Sequence, residues 1–112
     1  MGLRAASANP ATITGGSAIG LTNIGTTSAD SSGTPGNQAS NTPSGRCSIA
    51  AAGTTVTVTN SLVTAASRVF CSVGSNDTTA ILKNVVPGAG SFVVTMNAAV
   101  TATTNINWFV VN

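Results

Sequence analysis

The chain has no His, no Tyr and no Glu, and only six of its 112 residues are charged: Arg4, Arg46, Arg68, Lys83, Asp30 and Asp77. A typical soluble domain is about 25% charged; this one is 5%. Each absence removes a class of function. General acid–base chemistry needs titratable groups placed near one another, most often including His. Two carboxylates and one Lys cannot furnish a hydrolytic or triad mechanism, and Lys83 beside a Ser does not make a catalytic dyad. Two Cys without His cannot complete a structural zinc site, and the single carboxylate of Ser75-Asn76-Asp77 is too little for a calcium loop, so Asp77 reads as a turn residue. Four scattered cations form no basic patch of the kind phosphate binding needs. The reading is therefore of no catalytic, cofactor or metal site, no small-molecule substrate and no nucleic acid, which leaves a structural or interaction protein.

Other absences point the same way. No run of about 18 apolar residues exists to cross a membrane. The opening Met1-Gly2-Leu3-Arg4 lacks the apolar stretch of a secretory signal, so the chain reads as a complete small protein made inside a cell. Low charge does not mean disorder here, because disordered chains combine high net charge with low hydrophobicity. This chain is 42% apolar with a net charge of +2.

What is present is small. The chain holds 18 Thr, 13 Ser, 11 Asn and 12 Gly, close to half of its residues. They divide unevenly at about residue 45. Residues 1–45 carry eight of the twelve Gly, three of the four Pro (Pro10, Pro35, Pro43), no aromatic residue, and only Leu3, Ile13, Ile19, Leu21 and Ile24 as large aliphatics. That apolar area cannot offset the entropy of ordering the backbone. The segment is either disordered or ordered by lying on something else. Within Ile13–Gly25 single aliphatics recur between Gly, Ser and Thr, which suits an extended arm that docks on a partner or a sister subunit; a flexible arm is the plainer alternative. Residues 26–45 read as a linker without periodicity.

Residues 46–112 carry all four aromatics (Phe70, Phe92, Trp108, Phe109) and all twelve Val. Thr and Val alternate with period two, the mark of strands. Strands are predicted over 47–51, 55–59, 62–64, 67–73, 79–86, 91–97 and 105–111, with turns at Gly74–Asp77 and Pro87–Gly90. In the fifth of these, Ile81, Lys83 and Val85 are set against Leu82, Asn84 and Val86. No segment shows a helical stripe. The fold class is all-β: a small antiparallel β-sandwich over 46–112 with an extended N-terminal arm over 1–45.

A domain of about 67 residues is marginal alone. A Cys47–Cys71 disulfide is possible by count, but a reducing cytoplasm favours two free, largely buried thiols. Several strands are apolar on both faces: Val69 and Phe70, Phe92 and Val93, Trp108 and Phe109. A strand with one face in water should alternate cleanly, so the second face is expected to be covered by another subunit, or else the chain tolerates exposed hydrophobics. Trp108 reads as an interface or core anchor, and Arg68 as a subunit contact or a solvated strand residue.

The run Ala51-Ala52-Gly53-Thr54-Thr55-Val56-Thr57-Val58-Thr59-Asn60-Ser61-Leu62-Val63-Thr64-Ala65-Ala66-Ser67-Arg68-Val69-Phe70 resembles the opening of a small β domain in tailed-bacteriophage virion proteins. Gly90-Ser91-Phe92-Val93-Val94 and the terminal Ile106-Asn107-Trp108-Phe109-Val110-Val111 are similar to the later strands of such domains. Ala11-Thr12-Ile13-Thr14-Gly15-Gly16-Ser17 resembles linking segments in phage fibres and head proteins. The resemblance implies a homotrimer with a jelly-roll-like sandwich on the virion surface, made in the host cytoplasm and bound to no membrane. A short arm before the domain fits a capsid decoration (cement) protein on the outer surface of the head. A tail-needle or tail-fibre knob contacting the host cell is the alternative. The arm residues Leu3, Arg4, Ile13, Ile19, Leu21 and Ile24 would dock on the major capsid protein, and Arg68, Phe70, Phe92, Trp108 and Phe109 are the candidates for core or subunit interface.

Overall fold

The computed structural model describes residues 28–112. The arm residues Leu3, Arg4, Ile13, Ile19, Leu21 and Ile24 lie outside the described residues. Among the described residues every regular element is a strand: β1 (Ser28–Asp30), β2 (Gln38–Ala39), β3 (Ser44–Ile49), β4 (Thr55–Thr59), β5 (Arg68–Val73), β6 (Leu82–Gly88), β7 (Ser91–Met96) and β8 (Thr104–Val111). They form two four-stranded sheets, β1-β3-β8-β5 and β2-β4-β7-β6. The strand pairs β3·β8 and β4·β7 nest inside one another, and β5 meets β6 where the sheets adjoin. This is the course of a long hairpin rolled over into a β-sandwich; the all-β sandwich is as read, and the strand order is new.

Two features depart from the expected antiparallel form. β1 pairs with β3, and β2 with β4, in parallel. Both short strands come from residues 28–45, expected as linker. That stretch is polar and without periodicity because it forms sheet edges, where one flank of the backbone pairs and the side chains meet water. Side-chain hydrogen bonds fasten it: Asn37 Oδ1 accepts from the Thr57 N–H at 2.9 Å, Asn41 Oδ1 from the Ser61 N–H at 2.9 Å, and the Ser48 hydroxyl of β3 donates to the Ser32 carbonyl at 2.9 Å.

Period-two patterning shows in the core. In β7, Phe92, Val94 and Met96 are buried, and in β8, Thr104, Ile106 and Trp108 are. Val56 and Val58 of β4 and Cys47 and Ile49 of β3 complete the middle of the sandwich. Burying each large apolar side chain contributes about 1.5–3 kcal/mol. Phe92 from one sheet meets Trp108 from the other edge to face, centroids 5.2 Å apart at 63°. Opposite Trp108 stands Gly45, where a Cβ would lie 2.5 Å from the indole Cζ2 and 2.5 Å from the Ala29 carbonyl oxygen. The glycine is the space into which the indole fits.

Three local expectations fail for identifiable reasons. Residues 62–64 form no strand, because Asn60 closes a turn by taking the Leu62 N–H on its Oδ1 at 2.9 Å and the Val63 N–H on its carbonyl at 3.0 Å; a side chain that bonds its own backbone competes with the ladder. β6 starts at Leu82 and slips register between Leu82 and Asn84. The extra residue, Lys83, turns both Leu82 and Val85 toward the core and leaves Lys83, Asn84 and Val86 exposed, which inverts the alternation predicted for Val85. Pro87 and Gly88, expected in the turn, belong to β6 itself; β6 is an edge strand, where a missing N–H is tolerated. The turn is Ala89-Gly90, with Gly90 at φ +79°.

Candidate functional site

Because opposed residues in an antiparallel ladder share a face, the register fixes what the outer surface of the β1-β3-β8-β5 sheet presents. One row across the strands is Ser28, Ser44, Phe109 and Phe70, and the row nearer β1's C-terminal end is Asp30, Arg46, Asn107 and Ser72. A third row, toward the chain's end, holds Arg68 and Val111.

Phe70 and Phe109 are exposed, 51% and 48%, in the middle of this face. Their rings stack at 4.9 Å with 13° between planes. That separation equals the spacing of neighbouring strands, about 4.7–4.9 Å, so the stack runs across the strands. The second ring face of Phe109 therefore looks over β3, where the small Ser44 stands level with it and Arg46 in the next row. Val111 is 40% exposed beside them. An exposed aromatic pair contiguous with an aliphatic residue on a flat sheet is the form taken by interaction surfaces.

The polar row borders it. Arg46 Nε donates to Asn107 Oδ1 at 2.9 Å, and Asn107 Nδ2 reaches the Ser72 hydroxyl at 3.5 Å. Asp30 Oδ1 accepts from the Ser32 hydroxyl at 2.6 Å and the Ser32 N–H at 2.9 Å. These bonds, with Arg46 adding a weaker pull, hold the Asp30 carboxyl below its ordinary value of 3.8. Between the Phe pair and the Asp30–Arg46 pair runs an open groove of about 550 Å³.

The five candidates in the sandwich separate into two groups. Phe92 and Trp108 are core residues, 0% and 3% exposed, and present no surface to a partner. Phe70, Phe109 and Arg68 lie together on the outer face. Sequence reading did not find Asp30, Arg46, Asn107 and Ser72. The available signal was Asn107, a polar residue alternating with Ile106 and Trp108; which residues stand level with it depends on pairing between distant strands.

Elsewhere the polar groups are occupied structurally. Asp77 does more than sit in a turn: Oδ1 accepts from Thr79 N–H at 3.0 Å and Ala80 N–H at 2.7 Å, and Oδ2 from Thr101 N–H at 2.8 Å and Thr101 Oγ1 at 2.9 Å. The Ala80, Thr79 and Thr101 backbone bonds hold its carboxyl far below the ordinary range. The carboxylate thus clasps two loops at one end of the sandwich. Cys47 and Cys71 are free thiols. They flank β8 from opposite sides, about two strand spacings or ~10 Å apart, beyond the ~7 Å limit for a bridge. Burial pushes Cys47 up to about 11 and Cys71 to about 12. Trp108 Nε1 is buried with no hydrogen-bond partner among the described residues.

No protein-family model, curated protein or solved structure matches this chain.

Proposed function

We propose that this chain is a structural protein of a phage virion, a capsid decoration (cement) protein that forms a homotrimer on the outer surface of the head and reaches the major capsid protein with its N-terminal arm. The observation that carries the reading is the exposed Phe70–Phe109 stack with Val111 in a chain of 5% charge. Water penalises such a face, and few charges stand by to keep copies apart. The resemblance of the 51–70 run and of the closing strand to phage virion domains supplies the setting.

The mechanism is physical, with no chemical step. Copies cover one another's aromatic faces, the arms bridge to neighbouring capsomers, and the linked contacts oppose the internal pressure of packaged DNA. Three joined arms hold far more tightly than one, because each later contact forms at high effective concentration. With few charges at the contact, attachment changes little with salt.

Cryo-microscopy of the virion tests this. Density for the sandwich on threefold or quasi-threefold axes of the head is the expected result; density confined to the tail would replace this reading with that of a needle or fibre knob.

A further inference from the structure

The groove beside Phe109 needs an occupant that is apolar on one side and carries backbone groups to satisfy on the other. The free ring face of Phe109 offers an apolar wall over a floor of small residues. Across from it, Arg46 bonds Asn107 through Nε, and among the described residues its two terminal nitrogens remain to donate to carbonyl oxygens. Asp30 takes both Ser32 bonds on Oδ1, which among the described residues leaves Oδ2 to accept an N–H. An aromatic wall facing a donor and an acceptor suits an extended peptide with single aliphatic side chains.

The chain contains such a peptide. Between Arg4 and Asp30 no residue is charged, so seating it takes no ion out of water. Within Ile13–Gly25 the aliphatics Ile13, Ile19, Leu21 and Ile24 are set singly among Gly, Ser, Thr, Ala and Asn. We propose that the groove of one copy receives part of the Ile13–Gly25 segment of a second copy, with one of its aliphatics against Phe109. The direction of β1 decides between copies. Ser28 is level with Ser44 and Phe109, and the strand runs from there toward the Asp30–Arg46 row. Ser28 itself lines the groove and β1 runs forward along it, so a segment of the same chain would have to reverse to enter it. A neighbour's arm meets no such reversal. Its reach suffices: the 15 residues from Ile13 to Ser28 span up to ~50 Å, several times the width of a four-stranded sheet. Exchange of identical segments closes symmetrically. The inference rests on the reading that copies of this chain assemble, and it divides the arm: residues 13–25 are held by the sister copy, leaving the first dozen, with Leu3 and Arg4, to extend to the shell.

A mixed cross-linking experiment tests it. One chain carries Ala18→Cys, a second carries Ser72→Cys, and the two are co-expressed and oxidised; the unsubstituted chain, whose Cys47 and Cys71 are at least half-buried, is the control. A disulfide-linked pair on a non-reducing gel, absent when either variant is alone with unsubstituted chain, is the expected result. Adding Phe109→Ala to the Ser72→Cys chain should lower its yield by roughly tenfold or more, the equivalent of losing one buried aromatic contact. No linked pair in the mixture overturns the proposal. So does a bond that forms only within a chain carrying both substitutions, because that is the copy's own arm. Light scattering on the same samples separates the two readings: an oligomer without the cross-link removes the exchange and leaves the assembly, whereas a monomer at micromolar concentration removes the assembly as well.

Discussion

Gly45 is the position at which the packing can be tested most sharply. A Cβ added there would stand 2.5 Å from the Ala29 carbonyl oxygen, 2.5 Å from Trp108 Cζ2 and 2.9 Å from Trp108 Cε2. None of these atoms can retreat cheaply. The carbonyl belongs to the β1 backbone, and the indole is wedged between the sheets against Phe92. Inserting one methyl into a packed core costs about 1–3 kcal/mol, and two unyielding neighbours place Gly45→Ala at the top of that range, about 3 kcal/mol. For a domain of this size each kcal/mol lowers Tm by roughly 4–8 °C, so the fall should be about 12–24 °C. Two further glycines separate crowding from conformation. Gly33 has nothing within 4 Å and no positive φ, so Gly33→Ala should stay within about 0.5 kcal/mol of the parent. Gly90 also meets open space but sits at φ +79°, so Gly90→Ala should cost about 1–2 kcal/mol from backbone strain alone. Urea unfolding of the parent and the three variants provides the measurement. A Gly45→Ala cost below about 1 kcal/mol, or a cost no larger than that of Gly90→Ala, would refute the packing of Trp108 against the β1–β3 pair. Trp108→Phe added to Gly45→Ala should recover part of the loss, because it removes the benzo ring that holds Cζ2 but not the Ala29 carbonyl.

Asp77→Ala frees two loops at once and should lower Tm by several degrees in a thermal melt, with little effect on assembly. Stability of the parent should be flat from pH 5 to 8, since the chain has no His or Glu to titrate there. The folded values of Asp30 and Asp77 lie below their ordinary 3.8, so the stability they contribute is complete above about pH 5 and is lost progressively as pH falls below 4 toward their folded values; Asp77→Ala should remove most of this acid loss. On the alkaline side the unfolded thiols ionise near 9 and the folded ones at about 11 and 12, so melts should show stability declining above pH 9. A thiol reagent at pH 8 should label neither Cys until the protein is unfolded, and rapid labelling of the native protein would place Cys47 or Cys71 outside the core. Phe70→Ser with Phe109→Ser should shift light-scattering mass toward the monomer and leave Tm within a few degrees, because both rings are half exposed.

The elements that the sequence discloses are those whose burial alternates over a full strand. β4, β5, β7 and β8 emerge to within one residue because the period-two alternation of side chains reflects one wet or contacted face and one dry face. The strands that escape notice, β1 and β2, are three and two residues long and bury little. Their presence depends on backbone pairing with partners 16–20 residues away in the chain, for which polar side chains leave no periodic trace. Lys83 shows a different limit. A bulge keeps the composition of a strand while reversing its faces, and only the pairing partner, Met96 and Thr95 flanking the slip, reveals it.

The same distinction governs the candidate site. Apolar residues on both faces of β5 and β8 could be read locally, and they lead to Phe70 and Phe109 on the outside with Trp108 on the inside. That these two rings meet is a fact of register: Phe70 and Phe109 are 39 positions apart, and shifting β5 by one residue along β8 would turn Phe70 into the core and Cys71 out. The polar row needs three such registers at once, joining Asp30 to Arg46, Arg46 to Asn107 and Asn107 to Ser72. Gly45 links the two scales. Read along the chain it closes a run of Pro, Ser and Gly and looks like linker; placed opposite Trp108 it is the one residue small enough to let β1 lie beside β3 while the indole fills the core beneath. The edge that carries Asp30 to the groove thus depends on a glycine chosen for a tryptophan 63 residues downstream. A substitution that closes this space should disturb the groove and the core together, and one on the Phe pair should disturb the groove alone.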